Sequence, residues 1–463
     1  MNDDLRPDRP PFWIDCETSF PAAPVWTKDL VIYEINPYAF TSPDGAGDGG
    51  GSGDFDSLRQ KMDYIQDLGV NGVWLAGFSR ATNHFYNIKS VYACVRPDEL
   101  DPDLGTPDEF KAMIQEAHRH GIKVFLDVVT HGVVNGSPLI EEHPDWFRGG
   151  TWGMTDYDYE NVEFQQWWVD LWTRYALEFG VDGYRLDVPR HEQTHLWREI
   201  AARCETAGHP ILIFPERVIA GHFGQRDYVG FSTDVAGEFC NTPRYMGGQI
   251  SCHDEGWKCG PGAHYRLRGN RANLIYTLLG YNVPIFMAGE EFNAQQVSLP
   301  GLERNLFGGG GPGGWLYGSW IQWEQLKDPF HREMLDDFRT TLRIRHRNRD
   351  IIHNDRARTH ILRIPHRPAM RPIPYVRFLP GEAAIIVIAN SDDDPVTVRL
   401  TVPLTAMALD GHERYRVIDL WRNAPTVVSE ADLCDYAVVT PGARTYQGGA
   451  RVLRIEPVAK PQP

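Results

Sequence analysis

Three carboxylates in this chain stand where carboxylates are unusual. Asp187 falls near the end of the run GVDGYRLDV, Glu216 closes ILIFPE, and Asp254 closes QISCHD. Each run is short, apolar and strand-like, whereas a strand buried on both faces should read as nearly continuous apolar residues. Retaining cleavage of a glycosidic bond needs such acids. One carboxylate attacks the anomeric carbon; a second protonates the leaving oxygen and later activates water. A third can bind sugar hydroxyls and steady the oxocarbenium-like charge. Arg185 lies two residues before Asp187 and therefore on the same face of its strand. A guanidinium beside a carboxylate favours the ionised, nucleophilic form.

Acids on different strands meet only in a fold that gathers strand ends. Strand-like and helix-like runs alternate over the first three-quarters of the chain. LVIYEI (30–35), NGVWLAGF (71–78) and IKVFLDVVTHG (122–132) are separated by the helical patterns 54–69 and 106–121. The amphipathic stretch 161–180 feeds GVDGYRLDV, and the helix 195–208 precedes PILIFPE. QISCHD (249–254) and NVPIFMAGEEF (282–292) follow, with a helical run at 271–280 between them. Such alternation means a parallel sheet with helical crossovers, either a closed barrel or an open doubly wound sheet. Acids at the ends of so many strands, and no G-x-G-x-x-G after the first, favour an α/β fold of the (β/α)8 TIM-barrel type, whose active sites lie at the strand C-termini.

The expected organisation is an N-terminal arm (1–27), a catalytic barrel (28–355) and a C-terminal antiparallel β-sandwich (356–463). EAAIIVIAN, VTVRLTVPL, RYRVIDLWR and ARVLRIEPV read as the short strands of the last part. The stretch after the third strand, about 131–162, is long, aromatic and irregular, and reads as an excursion over the barrel mouth. Its Trp146, Trp152, Tyr157 and Tyr159 could form a small core or stack on sugars. Two glycine-rich stretches, 45–54 and 307–315, follow strand C-termini as lids or linkers. Neither carries the Lys-Ser/Thr of a phosphate-cradling loop.

Composition narrows the partners. A formal net charge of −16 over 463 residues speaks against nucleic acid or anionic membrane, both of which demand a basic face. The 14 Trp and 19 Tyr suit either a large core or sugar stacking. The N-terminus, MNDDLRPDRPPFW, lacks the apolar segment of a secretory signal, and no run of about 18 apolar residues is present. The seven cysteines are scattered and odd in number, which suits a reducing cytoplasm.

With these residues in place, the chain resembles the α-amylase family of glycoside hydrolases, in particular its intracellular cyclomaltodextrinase-like and oligo-α-glucosidase-like members. GYRLDVPRH matches the family's nucleophile strand, with Asp187 as nucleophile, Arg185 as its arginine and His191 as a substrate contact. Glu216 matches the acid/base, and His253-Asp254 matches the pair that binds sugar in the catalytic subsite. His84 and Tyr86, in NHFYNI, resemble a polar subsite group and a stacking tyrosine; Trp257, just after His253-Asp254, is a stacking candidate by position. Asp127 either supports Arg185 or touches substrate, and Glu290-Glu291 reads as structural.

The departures matter too. Where the family usually ends its third strand Asp-x-x-x-Asn-His, this chain has Asp127-Val128-Val129-Thr130-His131-Gly132. Gly132 replaces a subsite histidine, and His131 replaces an Asn that often serves as a calcium ligand. No metal ligands are assigned and no cofactor is required; the resemblance allows calcium, with its usual ligand position altered. It implies a retaining hydrolase cleaving α-1,4 or α-1,6 glucosidic bonds in linear or cyclic gluco-oligosaccharides through a covalent glucosyl-enzyme. A transglycosylase or isomerase of α-glucosides is the alternative, and a non-catalytic amylase-like binding protein a third reading. Homodimerisation is left open.

Overall fold

Seven short parallel strands form one curled sheet in the first three-quarters of the chain. The protein is seen here in a computed structural model that describes residues 23–41, 53–83, 89–189, 191–215, 247–249, 275–298, 319–442 and 449–458, less a few single positions and pairs within 275–298 and 319–442. The parallel strands are β1 (Ile32–Ile35), β2 (Gly72–Leu75), β3 (Lys123–Val129), β4 (Gly183–Asp187), β5 (Leu212–Pro215), β6 (Gly247–Gln249) and β7 (Val283–Met287). Their spatial order is β5-β4-β3-β2-β1-β7-β6. Each strand pairs with its sequence neighbour, and the first also pairs with the last, Ile32 opposite Ile285. Only between β5 and β6 do the described residues leave the ring open.

Strand alternation sorts the side chains of β4. Tyr184 points outward, where its ring meets Trp172 and Trp197 of the covering helices. Arg185 and Asp187 point inward. Gly183 is required by the neighbouring strand, since a Cβ there would lie 1.9 Å from the Leu212 carbonyl oxygen.

The helices follow their local signals. α1 (Pro107–Arg119) opens with a Thr106–Glu109 capping box and buries Phe110, Met113, Ile114 and Ala117. α2 (Val162–Arg174) is capped by Asn161, but its last turn, Tyr175–Phe179, widens to π geometry instead of staying α-helical to residue 180. α3 (Thr194–Thr206) and α4 (Pro329–Arg347) complete the longer ones. The helix expected over 54–69 is two, Phe55–Arg59 and Met62–Leu68. Lys61 leaves helical geometry between them, and each half buries its own apolar residues.

The strand ends that bring β1 and β7 together are tied by buried polar contacts. The hydroxyls of Tyr33 and Tyr64 both donate to Glu291 Oε1 at 2.7 Å, and the Gly289 amide donates to Oε2. Burial, with the Glu291 charge beside them, pushes both phenols well above their ordinary range, so they stay donors. Glu290-Glu291 thus has the structural role its sequence suggests.

The C-terminal part is antiparallel. A six-stranded sheet of β8 (Arg358–Ile361), β9 (Tyr375–Leu379), β10 (Ala383–Ala389), β12 (Arg414–Asp419), β13 (Ala424–Ser429) and β15 (Ala450–Pro457) runs in the order β8-β9-β10-β15-β12-β13. A two-stranded sheet, β11 (Val396–Leu400) and β14 (Tyr436–Thr440), packs on one of its faces. The other face joins Ile385, Val387 and Val452 to Ile275, Leu279, Ile344 and Ile351 from the first part of the chain. Burial on both faces is why β10 reads Ala-Ala-Ile-Ile-Val-Ile-Ala without alternation.

Near this seam His353 Nδ1 donates to Asp29 Oδ1 at 2.6 Å. Burial and the nearby Arg345 charge push the imidazole down to about 4, and its hydrogen bond holds Asp29 below the ordinary carboxylate value. The unfolded chain, with His353 near 6.5, therefore binds more protons between about pH 4 and 6.5. Stability is full above that window and falls as pH drops through it. Urea unfolding at pH 7, 5.5 and 4 should show a loss of order 1–3 kcal/mol that His353→Asn, which keeps a donor to Asp29, largely removes. Identical pH slopes in the two proteins would refute the assignment.

Candidate active site

The parallel register decides what meets at the mouth of the sheet. Asp127 of β3 lies beside Arg185 of β4, and Val129 beside Asp187. Arg185 Nη1 donates to Asp127 Oδ1 at 2.9 Å and to Asp187 Oδ1 at 2.9 Å, one cation held between two carboxylates. Asp127 is closed in further by Trp74 Nε1 at 3.1 Å and the Tyr92 hydroxyl at 2.7 Å, both donating to Oδ2. The guanidinium also lies 5.0 Å from the Trp74 ring centre and 5.9 Å from that of Tyr92. The Asp127 side chain is fully enclosed, whereas that of Asp187 keeps 11% of its surface open. Asp127 therefore supports Arg185 and does not reach substrate.

The backbone behind Asp187 is held as firmly. Thr130 directs its hydroxyl at the Asp187 carbonyl, 2.6 Å away, with the Val188 carbonyl at 3.0 Å. Val188 sits at φ 45°, a left-handed conformation that a β-branched residue rarely adopts. Strain of this kind costs about 1–3 kcal/mol and persists only where surrounding contacts impose it. The Thr130 carbonyl in turn accepts from Tyr159 Oη at 2.5 Å and Gln193 Nε2 at 3.3 Å.

The excursion is ordered, not irregular. Gly132–Val134, Phe147–Thr151 and Met154–Tyr157 form a three-stranded antiparallel sheet. Its hairpin turns on Trp152 and Gly153, both at positive φ, the pattern that suits a two-residue connection. The aromatic question divides. Trp146, Tyr157 and Tyr159 are buried in the excursion's own core with Phe164 and Trp168, while Trp152 is 56% exposed. Its ring meets the edge of His131, centres 5.2 Å apart, just past the end of β3. His131 is itself buried, its Nδ1 3.9 Å from Asp156.

Gly132 has a physical reason. It pairs with Asp156 across the excursion sheet, and a Cβ at this position would lie 2.0 Å from the Thr155 carbonyl oxygen. A histidine cannot occupy it without displacing that strand. Calcium takes oxygen ligands, whereas at these two positions His131 offers nitrogen and Gly132 no side chain. These residues do not fit calcium.

Of the residues singled out by sequence, the structure brings Arg185 and Asp187 together. His191 opens the turn His191–Gln193, and its own side chain lies outside the described residues. Glu216, His253, Asp254, His84, Tyr86 and Trp257 lie outside the described residues, as do most of the two glycine-rich stretches. β5 ends at Pro215, one residue before Glu216, and Pro215 is in register with Leu186, one residue before Asp187. Sequence reading missed Trp74, Tyr92 and Thr130. Tyr92 belongs to a hairpin of Ser79–Asn83 with Lys89–Leu100 that Pro97 and the flanking charges disguised. Trp74 carried a faint signal, a polar-tipped aromatic inside an apolar strand.

Comparison with known proteins agrees with this geometry. Residues 34–137 match the Alpha-amylase family model (alpha amylase, catalytic domain). Over that part of its length the chain is similar to the α-amylases. It is 28% identical over 233 residues to an intracellular maltogenic amylase of Bacillus subtilis, covering 42% of this chain and 39% of that one. A cyclomaltodextrinase of Thermoanaerobacter pseudethanolicus is 26% identical over 241 residues, 43% of this chain and 40% of the relative. The chain thus spans about two-fifths of the length of these relatives. A solved cyclomaltodextrinase structure superposes with a TM-score of 0.73 at 18% identity, over 94% of this chain and 79% of that one. That likeness is one of fold: among the described residues, a curled parallel sheet followed by antiparallel β-sheets.

Gly132→Ala offers a direct check on the excursion. It should lower unfolding stability by about 1–3 kcal/mol through overpacking against Thr155. An unchanged urea midpoint would show that the excursion sheet does not pack there.

Proposed function

We propose that this chain is a retaining glycoside hydrolase that cleaves α-1,4 or α-1,6 glucosidic bonds in linear or cyclic gluco-oligosaccharides. The observation that carries the reading is the Asp187 carboxylate, at the C-terminal end of a parallel strand, oriented by Arg185 and backed by Thr130. Its relatives bear the names of a maltogenic amylase and a cyclomaltodextrinase.

In this reading an Asp187 oxygen attacks the anomeric carbon as the glycosidic C–O bond breaks, and the Glu216 carboxylic acid gives its proton to the leaving oxygen. The Glu216 carboxylate then takes a proton from water, whose oxygen displaces Asp187 and restores both acids. Arg185 keeps the nucleophile charged and aligned in the resting enzyme. Asp254 and His253 bind the sugar at the cleaved bond; His84, Tyr86, His191 and Trp257 contact substrate around it. The units divide near 27 and 355. The chemistry requires no metal, and the site of action is the cytoplasm, in keeping with the relative named intracellular.

Trp152 is the aromatic the excursion leaves exposed beside the mouth, and it stacks on a sugar ring. Trp152→Ala should raise KM by roughly 3- to 30-fold with little change in kcat, the loss of one stacking contact of about 1–2 kcal/mol. A normal KM on every substrate would remove it from the site.

The reaction itself is tested by incubating wild-type protein and Asp187→Ala with maltooligosaccharides, cyclic α-glucans, isomaltooligosaccharides, trehalose and sucrose. Anomer-resolved NMR should show smaller sugars released first as α-anomers, and the variant should lose on the order of 10³-fold or more of the rate. Larger or isomerised products would move the reading to transglycosylation. An equally active variant would refute the role of Asp187.

A further inference from the structure

Thr130 is the first residue past β3, and it is fully buried, so it does not reach substrate. Its hydroxyl donates to the Asp187 carbonyl at 2.6 Å, with the Val188 carbonyl at 3.0 Å. Its amide donates to the Asp187 carbonyl as well, at 3.4 Å. An extended strand points successive carbonyls to opposite sides. The left-handed turn at Val188, φ 45°, brings both round to one donor. Thr130 therefore holds the chain where it leaves Asp187.

Thr130 is itself held from two further directions. Its carbonyl accepts from Tyr159 Oη at 2.5 Å and from Gln193 Nε2 at 3.3 Å. Tyr159 belongs to the excursion and packs its ring on Phe164 and Trp168 of α2. The Tyr159 carbonyl accepts from Gln165 Nε2, on the same helix, at 2.7 Å. The adjoining backbones are joined too: the Tyr157 amide donates to the His131 carbonyl at 2.9 Å, and Gly132 pairs with Asp156. Gln193 is buried just ahead of α3. β3 is already anchored along its length by β2 and β4. The extra contacts converge instead on the one segment that sets where Asp187 stands.

We propose, on the reading of Asp187 as the nucleophile of a glycosidase, that Thr130 is a positioning residue for it. Tyr159 and Gln193 brace Thr130, so the excursion fixes the nucleophile from behind. Attack needs a carboxylate oxygen in near-attack geometry, and a misplacement near 1 Å can cost about 100-fold in rate. Without the brace the backbone relaxes from its strained turn and the carboxylate shifts, while the surfaces that bind sugar stay. The loss falls on kcat and spares KM.

Full-length Thr130→Val, Thr130→Ser, Tyr159→Phe and the Thr130→Val/Tyr159→Phe double variant are compared with wild type and Asp187→Ala. Kinetics use the substrate that wild type cleaves best, well below the unfolding temperature. Hydrogen exchange over 187–197 is followed by mass spectrometry in the same proteins. Thr130→Val should lower kcat about 10- to 100-fold with KM within about twofold. Tyr159→Phe should lower it about 3- to 10-fold. The double variant should be little worse than Thr130→Val, because both act through one contact. Thr130→Ser, which keeps the hydroxyl, should recover most of kcat. Exchange should quicken in Thr130→Val and Tyr159→Phe but not in Thr130→Ser. Wild-type kcat in Thr130→Val, or a raised KM at normal kcat, would overturn the brace; an inactive Asp187→Ala would still uphold the glycosidase reading. If wild type cleaves nothing, that reading fails and exchange alone decides, with an unchanged rate in Thr130→Val sinking the brace.

Discussion

Arg185 carries a full positive charge into the interior of the parallel sheet, where desolvating an ion costs several kcal/mol unless its partners are well placed. The partners come from separate segments: Asp127 on β3, Asp187 on its own strand, and Trp74 and Tyr92 closing around Asp127. Removing any of them leaves charge or polar groups uncompensated, so β2, β3, β4 and the hairpin beside them are fixed relative to one another. The orientation of the proposed nucleophile is a by-product of satisfying that buried cation. The strained backbone at Val188 is tolerated for the same reason, since Thr130 and the strands beside it leave the chain little freedom to relax.

How much of this could be read from the residues depended on whether a feature was local. Arg185 and Asp187 share a face because strands have period two, and that needed only their spacing. Asp127 needed the register of β3 against β4, which no local pattern encodes, and so its role stayed undecided until the strands were aligned. Tyr92 sits on a hairpin whose pattern is broken by Pro97 and charges, and was passed over. The excursion misled by composition. Its glycines and aromatics suggest irregular chain, yet Gly132 and Gly150 permit backbones to approach and Trp152-Gly153 makes a tight turn.

Gly132 also shows why a departure from a family pattern need not be a loss. At Gly132 the excursion strand lies directly against the backbone, and the available volume is already filled. The neighbouring His131 and Trp152 then define that side of the mouth. One substitution and one rearranged strand are two views of a single packing solution.

The pairing of Ile32 with Ile285 has a consequence for how the protein is made. β1 gains β2 on one side as soon as residue 75 is synthesised, but its other edge waits for β7. More than two hundred residues separate those events, which at about 5–20 residues per second is roughly 10–40 s on the ribosome. Throughout that interval an apolar strand presents unpaired amides and carbonyls, the kind of edge that recruits other chains. A nascent chain of this protein is therefore a natural client for chaperones that cover strand edges until translation passes residue 287.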